Sequence, residues 1–446
     1  MTVPLQSVID YYANRDVRDR MREYFGAKPQ RDPSAARVAS LRGDHPQPIG
    51  WERATRRPAI QLAKAWREGG DVARSLRDHQ HLLFFIELDY DNPDAPGFPF
   101  LQPDAAFGQM EPAYRSVMAT LAAFRVAPLV LVTGRGYHFV GRLPLGSPVV
   151  ETLARLAPAG TPDPAWAGLG CVIEYLAHRV LQNHPLGGVP LVVNGVPVGP
   201  GAHGRAAVSF DFSYVGDPLD LRFIRAGFGT YQWHRFRPDI FGPDASQLPP
   251  LVAIPRDSLA LEEMLQRGRT CEASLSLARE ASVVLPDVTD GLTRLTTDYA
   301  GSALAAFHRR FHARRRRART PDVPADLPRC AADAITWPND LLLKPGHLQH
   351  LTRVLLSRGW DASDVVSLVQ DGYEGDHGWG DRWQRRMVPA ERAAFEVRVF
   401  AGLIVTGVDG LVDFNCVSAQ EKGLCPRSWC RHDLRVDRDA LLQRRP

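Results

Sequence analysis

The segment from residue 84 to residue 91 is an apolar run that ends in three alternating acids. It reads Phe-Phe-Ile-Glu-Leu-Asp-Tyr-Asp. In a strand, successive side chains alternate between the two faces, so Glu87, Asp89 and Asp91 share one face and the apolar residues between them lie on the other. Three neighbouring carboxylates repel one another unless cations lie between them. The segment therefore predicts a strand with one packed face and one acidic face.

The acidic face predicts a particular kind of chemistry. Hard oxygen ligands suit Mg²⁺ or Mn²⁺, which also bind phosphate oxygens. A cluster of this kind favours metal-assisted chemistry on a phosphorylated substrate.

The composition is that of a globular protein with more than one domain. A chain of 446 residues with 44% hydrophobic residues predicts two or three packed domains. No apolar run approaches a membrane span, and the first residues lack the pattern of a signal peptide, so we expect a cytoplasmic protein that does not bind membranes. The net charge of +4 is a weak indication of nucleic-acid binding.

The six cysteines are unevenly distributed. Cys330, Cys416, Cys425 and Cys430 all lie in the last 117 residues of the chain. In a reducing compartment such a group is more typical of metal or cluster ligands than of disulfides.

The order of predicted elements is that of an α+β domain followed by a helical one. Residues 1–80 read as mostly helical and connecting, with helices near 16–24 and 54–66. The elements that follow are strand 82–90, helix 112–125, strand 129–132, a glycine turn leading to another strand, helix 164–183 and strand 206–212. After residue 330 the pattern is helical, most clearly at 347–358, 362–370 and 389–405.

A basic, proline-rich segment separates these two parts. Residues 309–319 contain seven arginines, and prolines follow at 321, 324 and 328. The segment is either a solvated helix end and linker or a strip that follows a phosphate backbone. We place the domain boundary here.

The glycine turn is the second element with chemical character. Residues 133–138 read Thr-Gly-Arg-Gly-Tyr-His. The glycines allow a tight turn whose N–H groups point at an anion, and the arginine and histidine add side-chain donors. The candidate anion-binding residues are Thr133, Gly134, Arg135, Gly136 and His138.

A third group of polar residues follows the strand at 206–212. Asp211 ends that strand and offers a further carboxylate, with Asp217 and Asp220 as alternatives. Two arginines and a histidine come next, and the candidates for binding an anionic substrate are Arg222, Arg225 and His234.

These three elements in this order resemble the archaeo-eukaryotic primase superfamily, which includes the primase-polymerases. The resemblance implies a primase-polymerase fold, a mixed sheet with an RRM-like βαβ part. It implies that Glu87, Asp89 and Asp211 hold two Mg²⁺ or Mn²⁺ ions, with Asp91 as an auxiliary acid. Glu87 stands where the family usually has Asp, and a pair formed by Asp89 and Asp91 would have the same spacing.

The resemblance also assigns the nucleotide site. His138 matches the histidine that contacts the nucleotide phosphates, with Arg135 beside it. Arg222 and Arg225 resemble the basic residues that hold the incoming triphosphate, and His234 resembles the histidine that follows them.

The C-terminal region resembles the primase large subunit. The segment Gly423-Leu-Cys425-Pro-Arg-Ser-Trp-Cys430 is similar to its cysteine motif, and one cysteine leads the domain while three come near its end. The resemblance implies a helical domain that holds a [4Fe–4S] cluster through Cys330, Cys416, Cys425 and Cys430. Zinc is the alternative, with His347, His350, His377 or His432 in place of a thiol.

Together, the two resemblances predict a DNA primase or primase-polymerase. We expect a catalytic domain over 1–300, with a helical N-terminal part at 1–80, a linker over 301–327 and an iron–sulfur domain over 328–446. The implied reaction is nucleotidyl transfer from NTP or dNTP on a single-stranded DNA template, with chains started de novo. The rival hypotheses are a metal-dependent nuclease or phosphoesterase and a non-catalytic DNA-binding protein with a structural zinc.

Overall fold

A computed structural model describes most of the chain. The described residues are 6–27, 31–41, 54–185, 187–196, 205–256, 259–313, 323–336, 344–373, 389–425 and 430–444. None of the helices in these ranges is both long and apolar enough to cross a bilayer.

Strands and helices are numbered here in chain order. The strands are β1 Arg37–Leu41, β2 Thr55–Pro58, β3 Asp71–Ser75, β4 His81–Asp91, β5 Leu129–Val132, β6 Gly136–Pro144, β7 Leu191–Val193, β8 Ala207–Asp211, β9 Phe223–Arg225, β10 Thr230–Tyr231, β11 Leu251–Val252 and β12 Ile254–Pro255. The helices up to residue 300 are α1 Gln6–Ala13, α2 Arg15–Tyr24, α3 Leu62–Arg67, α4 Phe98–Leu101, α5 Pro103–Ala123, α6 Pro148–Leu156, α7 Pro164–Asn183, α8 Pro238–Phe241, α9 Leu261–Gly268, α10 Cys271–Glu280 and α11 Thr289–Ala300. The later helices are α12 Ala303–Ala313, α13 Arg329–Thr336, α14 Pro345–Ser357, α15 Ala362–Tyr373, α16 Pro389–Val405, α17 Cys416–Glu421 and α18 Leu434–Gln443.

By its internal contacts the chain divides into two compact units. The first comprises Met1–Ala157, Thr161–Leu169 and Pro218–Arg294, and the second comprises Pro158–Gly160, Gly170–Asp217 and Leu295–Pro446. In this division residues 170–217 group with the C-terminal helices. The catalytic domain, linker and iron–sulfur domain inferred from the sequence stay predictions.

The first unit contains a split βαβ arrangement. β4 and β5 are each antiparallel to β6, so they run parallel to each other with β6 between them and α5 as the crossover. β12 pairs with the outer edge of β5. The α+β class of this part of the chain, with its βαβ element, is confirmed.

Helix α5 packs against one face of this sheet. The rings of Phe107 and Tyr114 contact Tyr137 on β6, with centroids 5.4 and 4.9 Å away. The register pairs Tyr137 with Leu88 on β4, so this is the apolar face of the acidic strand. Because side chains alternate along β4, the neighbouring acids lie on the opposite face.

A second sheet of the first unit corrects the prediction for residues 1–80. β1, β2 and β3 form a four-stranded sheet with β9, in the order β2-β1-β3-β9, where helix and connecting segments were expected. Within the predicted helix 54–66, residues 55–58 are strand β2 and only α3 is α-helical.

Arginine residues make these strands difficult to predict from the sequence. Arg74 lies in the middle of β3 with 1% of its side chain exposed, and it donates to Asp78 at 2.6 Å and to the carbonyl of Tyr24 at 2.6 Å. A paired charge at a core position breaks the alternation of apolar and polar residues on which strand prediction depends.

Helix α5 is also longer than expected, with Pro112 inside it rather than in its first turn.

The second unit is mainly helical. β7 and β8 form a parallel pair, and from residue 323 onward every described element is a helix. The helical prediction for the C-terminal region is confirmed, with α14, α15 and α16 within a few residues of the expected bounds.

A buried ionic network connects three helices of the second unit. Glu174 on α7 accepts from Arg398 on α16 at 2.7 Å and from His308 on α12 at 3.1 Å. The hydroxyl of Tyr299 lies 2.8 Å from the other ring nitrogen of His308. Both oxygens of the Glu174 carboxylate therefore have cationic or donor partners.

Candidate functional site

The pairing of β4 with β6 sets an acid beside a histidine. The register places Glu87 opposite His138 and Asp89 opposite Gly136. Side chains of directly paired residues project from the same face of a sheet. The Nε2 of His138 accordingly lies 3.2 Å from Oε1 of Glu87.

Asp89 is paired with the arginine of the glycine turn. Arg135 donates to Asp89 at 2.6 Å, and its own carbonyl accepts from the N–H of Tyr90. The Asp89 side chain is 5% exposed, whereas that of Arg135 is 47% exposed. The charge of Asp89 raises the pKa of Arg135, so this arginine stays cationic.

Glu87 is ionised at neutral pH. Burial raises the pKa of this carboxyl, but the hydrogen bond and charge of His138, with the charges of Arg135 and Arg222, outweigh burial and lower it to about 2. About 30% of the Glu87 side chain remains exposed. The face therefore offers accessible carboxylate oxygens surrounded by cations.

The glycine turn is shaped by close packing. Both the N–H and the hydroxyl of Thr133 donate to the carbonyl of Gly136, at 2.8 and 3.1 Å. A Cβ on Gly136 would lie 2.1 Å from the carbonyl oxygen of Leu88, and one on Gly134 would lie 2.8 Å from the ring of Tyr231. The donors of Thr133 are thus used within the turn, and its predicted contact with a nucleotide stays a prediction.

The two predicted triphosphate arginines have different surroundings. Arg222 is close enough to lower the pKa of Glu87. Arg225 forms an ion pair with the buried Asp71 at 3.1 Å and lies over the ring of Tyr231, 4.1 Å from its centroid. Arg222 therefore has an electrostatic effect on the acidic strand, and Arg225 is held by Asp71 and Tyr231.

His234 is tied into the fold. Its Nε2 lies 2.9 Å from the carbonyl oxygen of Pro249, and its side chain is buried. Burial lowers the pKa of His234 to about 4, so the imidazole is neutral at pH 7. Its predicted role in nucleotide binding is untested, and a neutral buried ring is a poor partner for phosphate.

Asp211 lies in the second unit at the end of β8. Its Oδ1 accepts from the N–H of Ser213 at 2.7 Å. The backbone N–H of Phe212 donates to the side chain of Asn194 at 3.1 Å, and that side chain donates to Glu396 on α16 at 2.9 Å. The end of β8 is therefore anchored to α16.

The other candidate acids are engaged elsewhere. Asp217 pairs with Arg392 on α16 at 2.7 Å and is buried, and Asp220 pairs with Arg77 at 2.6 Å and is exposed. Asp91 ends β4 and is partly exposed. Because Asp211 and Asp217 belong to a different unit from Glu87, the predicted convergence of the acids stays a prediction.

Three of the C-terminal cysteines act electrostatically on the fourth, Cys330. Burial raises the pKa of Cys330 to about 12, and the charges of Cys425, Cys430 and Cys416 add to that shift. The thiols of Cys416 and Cys430 both face the carbonyl oxygen of His432, at 3.7 and 3.8 Å. The three distant parts of the sequence that carry these cysteines therefore lie near each other.

A histidine also borders this thiol group. The Nε2 of His350 lies 3.0 Å from the sulfur of Cys330. His377 lies outside the described residues. Across the described ranges, no three or more His, Cys, Asp or Glu side chains are arranged as they would be around a bound metal ion.

Comparisons with known proteins give a remote likeness in structure. No family profile and no curated protein sequence matches the chain. The chain is similar to a solved structure described as the polymerase domain from Mycobacterium tuberculosis Ligase D in complex with DNA, with 17% sequence identity and a TM-score of 0.36. The match covers 66% of this chain and 92% of that chain. At this TM-score the likeness does not establish a common fold or a common activity.

Proposed function

We propose that the chain is a template-directed nucleotidyltransferase of the primase-polymerase type. The observation that carries the proposal is the register of β4 and β6, which sets Glu87 against His138 while Arg135 pairs with Asp89. It joins the acidic motif to the histidine motif on one face of one sheet. The motif order along the chain agrees with that assignment.

The acids have the chemistry that divalent metal requires. Glu87 is deprotonated at neutral pH and partly exposed, and carboxylate oxygens are preferred ligands of Mg²⁺ and Mn²⁺. Glu87 and Asp89, with Asp211 in the proposed third position, would hold the ions. When bound, the ions would supply the positive charge that favours attack by a 3′-hydroxyl and departure of pyrophosphate.

The basic residues around these acids bind and orient the triphosphate in this proposal. Arg135 is half exposed and remains cationic, so it can exchange its contact with Asp89 for one with phosphate. His138, which lies opposite Glu87 on β6, would donate a hydrogen bond to a phosphate oxygen. Arg222 is close enough for its charge to lower the pKa of Glu87. Fixed cations that neutralise a triphosphate lower the barrier to phosphoryl transfer.

The cysteine group is proposed to hold a [4Fe–4S] cluster, with zinc as the alternative. Three thiols whose charges act on the fourth, Cys330, form with it a donor set that suits either, since both are bound by thiolates. Elemental analysis of the purified protein distinguishes iron from zinc. Iron with acid-labile sulfide and a brown colour would support the cluster, and stoichiometric zinc in a colourless protein would overturn it.

Primer synthesis on single-stranded DNA tests the proposed function. Wild type is incubated with template, Mg²⁺ or Mn²⁺ and labelled NTPs or dNTPs, in parallel with Glu87→Gln and Asp89→Asn. Glu263→Gln is the matched control, because it removes the charge of an exposed acid that pairs with Arg267 outside the proposed site. Products in wild type and the control, but not in the two β4 variants, would support the proposal.

The same incubation separates the alternatives. Shortening of the DNA without synthesis would favour a metal-dependent nuclease. DNA binding that persists in Asp89→Asn, with no reaction in any protein, would favour a non-catalytic DNA-binding protein with a structural zinc. Extension of a supplied primer without initiation would limit the proposal to a polymerase.

A further inference from the structure

A cluster of rings lies beside the glycine turn. It consists of Phe100, Tyr231, Trp233, His234 and Phe241, called here the ring cluster. The Phe100 ring is its centre, with the other four ring centroids 5.4–5.6 Å away. The rings of Tyr231 and His234 are almost parallel, with 9° between their planes. All members except His234 keep part of their surface exposed.

The ring cluster abuts the proposed active site directly. A Cβ on Gly134 would lie 2.8–3.0 Å from the Tyr231 ring, so this ring packs on the turn that carries Arg135. A ligand on the exposed faces of the cluster would therefore lie next to that turn.

Two arginines next to the ring cluster, Arg235 and Arg269, feel the charges of Asp71 and Asp104 but form no ion pair within the described ranges. Arg235 donates to the carbonyl of Ser246 and to the side chain of Gln232, and Arg269 donates to the carbonyl of Pro99 at 3.4 Å. Within the described ranges, neither guanidinium forms an ion pair with a carboxylate. Arg225 and Arg237, which also border the rings, differ because they pair with Asp71 and Asp239.

Burial disfavours the charged forms of Arg235 and Arg269. Burial lowers the pKa of both guanidinium groups, that of Arg269 to about 10. Burial is the main cause that lowers the pKa of His234, and the charges of Arg235 and Arg269 lower it further, so both arginines lie near the His234 ring. An anion bound there would stabilise the charged forms of both arginines, because neither forms an ion pair with a carboxylate in the described ranges.

Partly exposed rings beside arginines that form no ion pair fit one class of ligand. Bases of a single strand stack on aromatic side chains, and arginines bind the phosphates between them. A double helix would not expose its base faces to such rings.

We propose that the ring cluster, together with Arg235 and Arg269, binds a segment of single-stranded DNA, with bases stacked on the exposed ring faces and phosphates on the two arginines. The assignment of this strand as the template rests on the proposed function. The proposed binding of the strand is independent of that function, because binding is measured without nucleotide or metal.

Fluorescence anisotropy with labelled oligothymidylate tests the ring faces. Trp233→Ala should weaken binding by about tenfold, because stacking on one ring is lost. Trp233→Phe should restore most of the affinity, since it keeps a ring. Thermal unfolding of each variant shows whether it is folded, and Phe241→Ala replaces Trp233→Ala if the latter unfolds.

Salt dependence tests the arginines. Arg235→Gln and Arg269→Gln should each reduce the slope of log K against log salt by about 0.7, because one phosphate contact on a single strand is lost. Arg279→Gln is the matched control. It removes the same charge from an exposed arginine of the same unit that pairs with Asp16 at 3.2 Å, and it should leave affinity and slope unchanged.

Each result decides between clear alternatives. Unchanged oligothymidylate affinity and slope in the Trp233 and arginine variants would overturn the proposal. A raised KM for nucleotide with unchanged DNA affinity would also overturn it, because the rings would then bind the incoming nucleotide. If wild type binds DNA through these residues yet synthesises nothing, the binding site is upheld and the proposed function fails.

Discussion

The molecule contains two carboxylate–imidazole pairs of almost equal length in different environments. Glu87 and His138 lie 3.2 Å apart, with 30% and 8% of their side chains exposed. Glu174 and His308 lie 3.1 Å apart, with 0% and 3% exposed. The chemistry of the contact is the same in both units, so burial and the remaining partners decide what each pair can do.

The second pair has no capacity left for a ligand. Both oxygens of Glu174 and both ring nitrogens of His308 have partners within the protein. The first pair lies on a sheet face beside Arg135, whose guanidinium is half exposed. We infer that the sealed pair holds helices together and that the open pair is the one that binds substrate.

The largest expected effect comes from breaking the sealed network. Arg398→Met leaves the Glu174 carboxylate buried without its main counter-charge, and it should lower the free energy of unfolding by about 3–5 kcal/mol. Urea unfolding measures it. Arg179→Met is the control, because Arg179 and Asp298 are both about two-fifths exposed and such pairs contribute less than about 1 kcal/mol. A decrease of less than about 1 kcal/mol in the free energy of unfolding of Arg398→Met would show that the network does not stabilise the fold.

The open pair should respond in activity rather than in stability. Glu87→Gln keeps the shape of the side chain but removes the charge, and it should slow nucleotidyl transfer by about 100- to 1,000-fold. Steady-state primer extension measures the rate, and thermal unfolding provides the comparison. A Glu87→Gln protein with normal activity would remove the distinction drawn here between the two pairs.

Alkaline pH should weaken the sealed pair. Burial lowers the pKa of His308, but Glu174 and Cys171 outweigh burial and raise it to about 9. A pKa above the ordinary 6.5 means that the folded state binds the proton more tightly. This contribution to stability is complete below pH 6.5 and is lost as pH rises through about 9.

The expected loss is on the order of 3 kcal/mol between pH 6.5 and pH 9.5. Urea unfolding across this range measures it, with His308→Asn as the comparison. The variant should be less stable at pH 6.5 and should show a flatter dependence. Parallel curves for the two proteins would contradict the assignment to His308.

The smallest effect tests the anchoring of β8. Asn194→Ala leaves the N–H of Phe212 and one oxygen of Glu396 without their hydrogen bonds, at about 1–2 kcal/mol of stability. Asn194→Gly is the comparison, because Asn194 has a φ of 55° that glycine adopts freely. If Asp211 binds metal, both variants should also raise the Mn²⁺ concentration needed for half-maximal activity. An unchanged Mn²⁺ requirement would separate Asp211 from the reactive acids.

The sequence was most informative where local pattern and packing agree. The apolar run that ends in alternating acids predicts a strand over 82–90, and β4 extends one residue further at each end, while the apolar run at 129–132 matches β5. The pairing of Glu87 with His138 could not be read from the chain, because it depends on strand register across a separation of 51 residues. The motif order nevertheless pointed to both residues.

Buried charges were the main source of error. Arg74 and Asp71 look like surface residues in the sequence, yet both lie on β3 and are almost fully buried. The prediction for residues 1–80 therefore lacks this strand, and the ion pair of Asp71 with Arg225 has no local signal in the sequence. Glu396 had no local signal at all, because its partner Asn194 is 202 residues away.

Gly136 also limits how this protein can be varied. Any Cβ there would lie within 3 Å of the backbone of β4 and of the Asp89 carboxylate. A library randomised at this codon and selected for activity should return glycine alone, even if the neighbouring positions in the turn accept several residues. In directed evolution this position should therefore stay glycine. Changes in the proposed nucleotide preference would have to come from the residues around it.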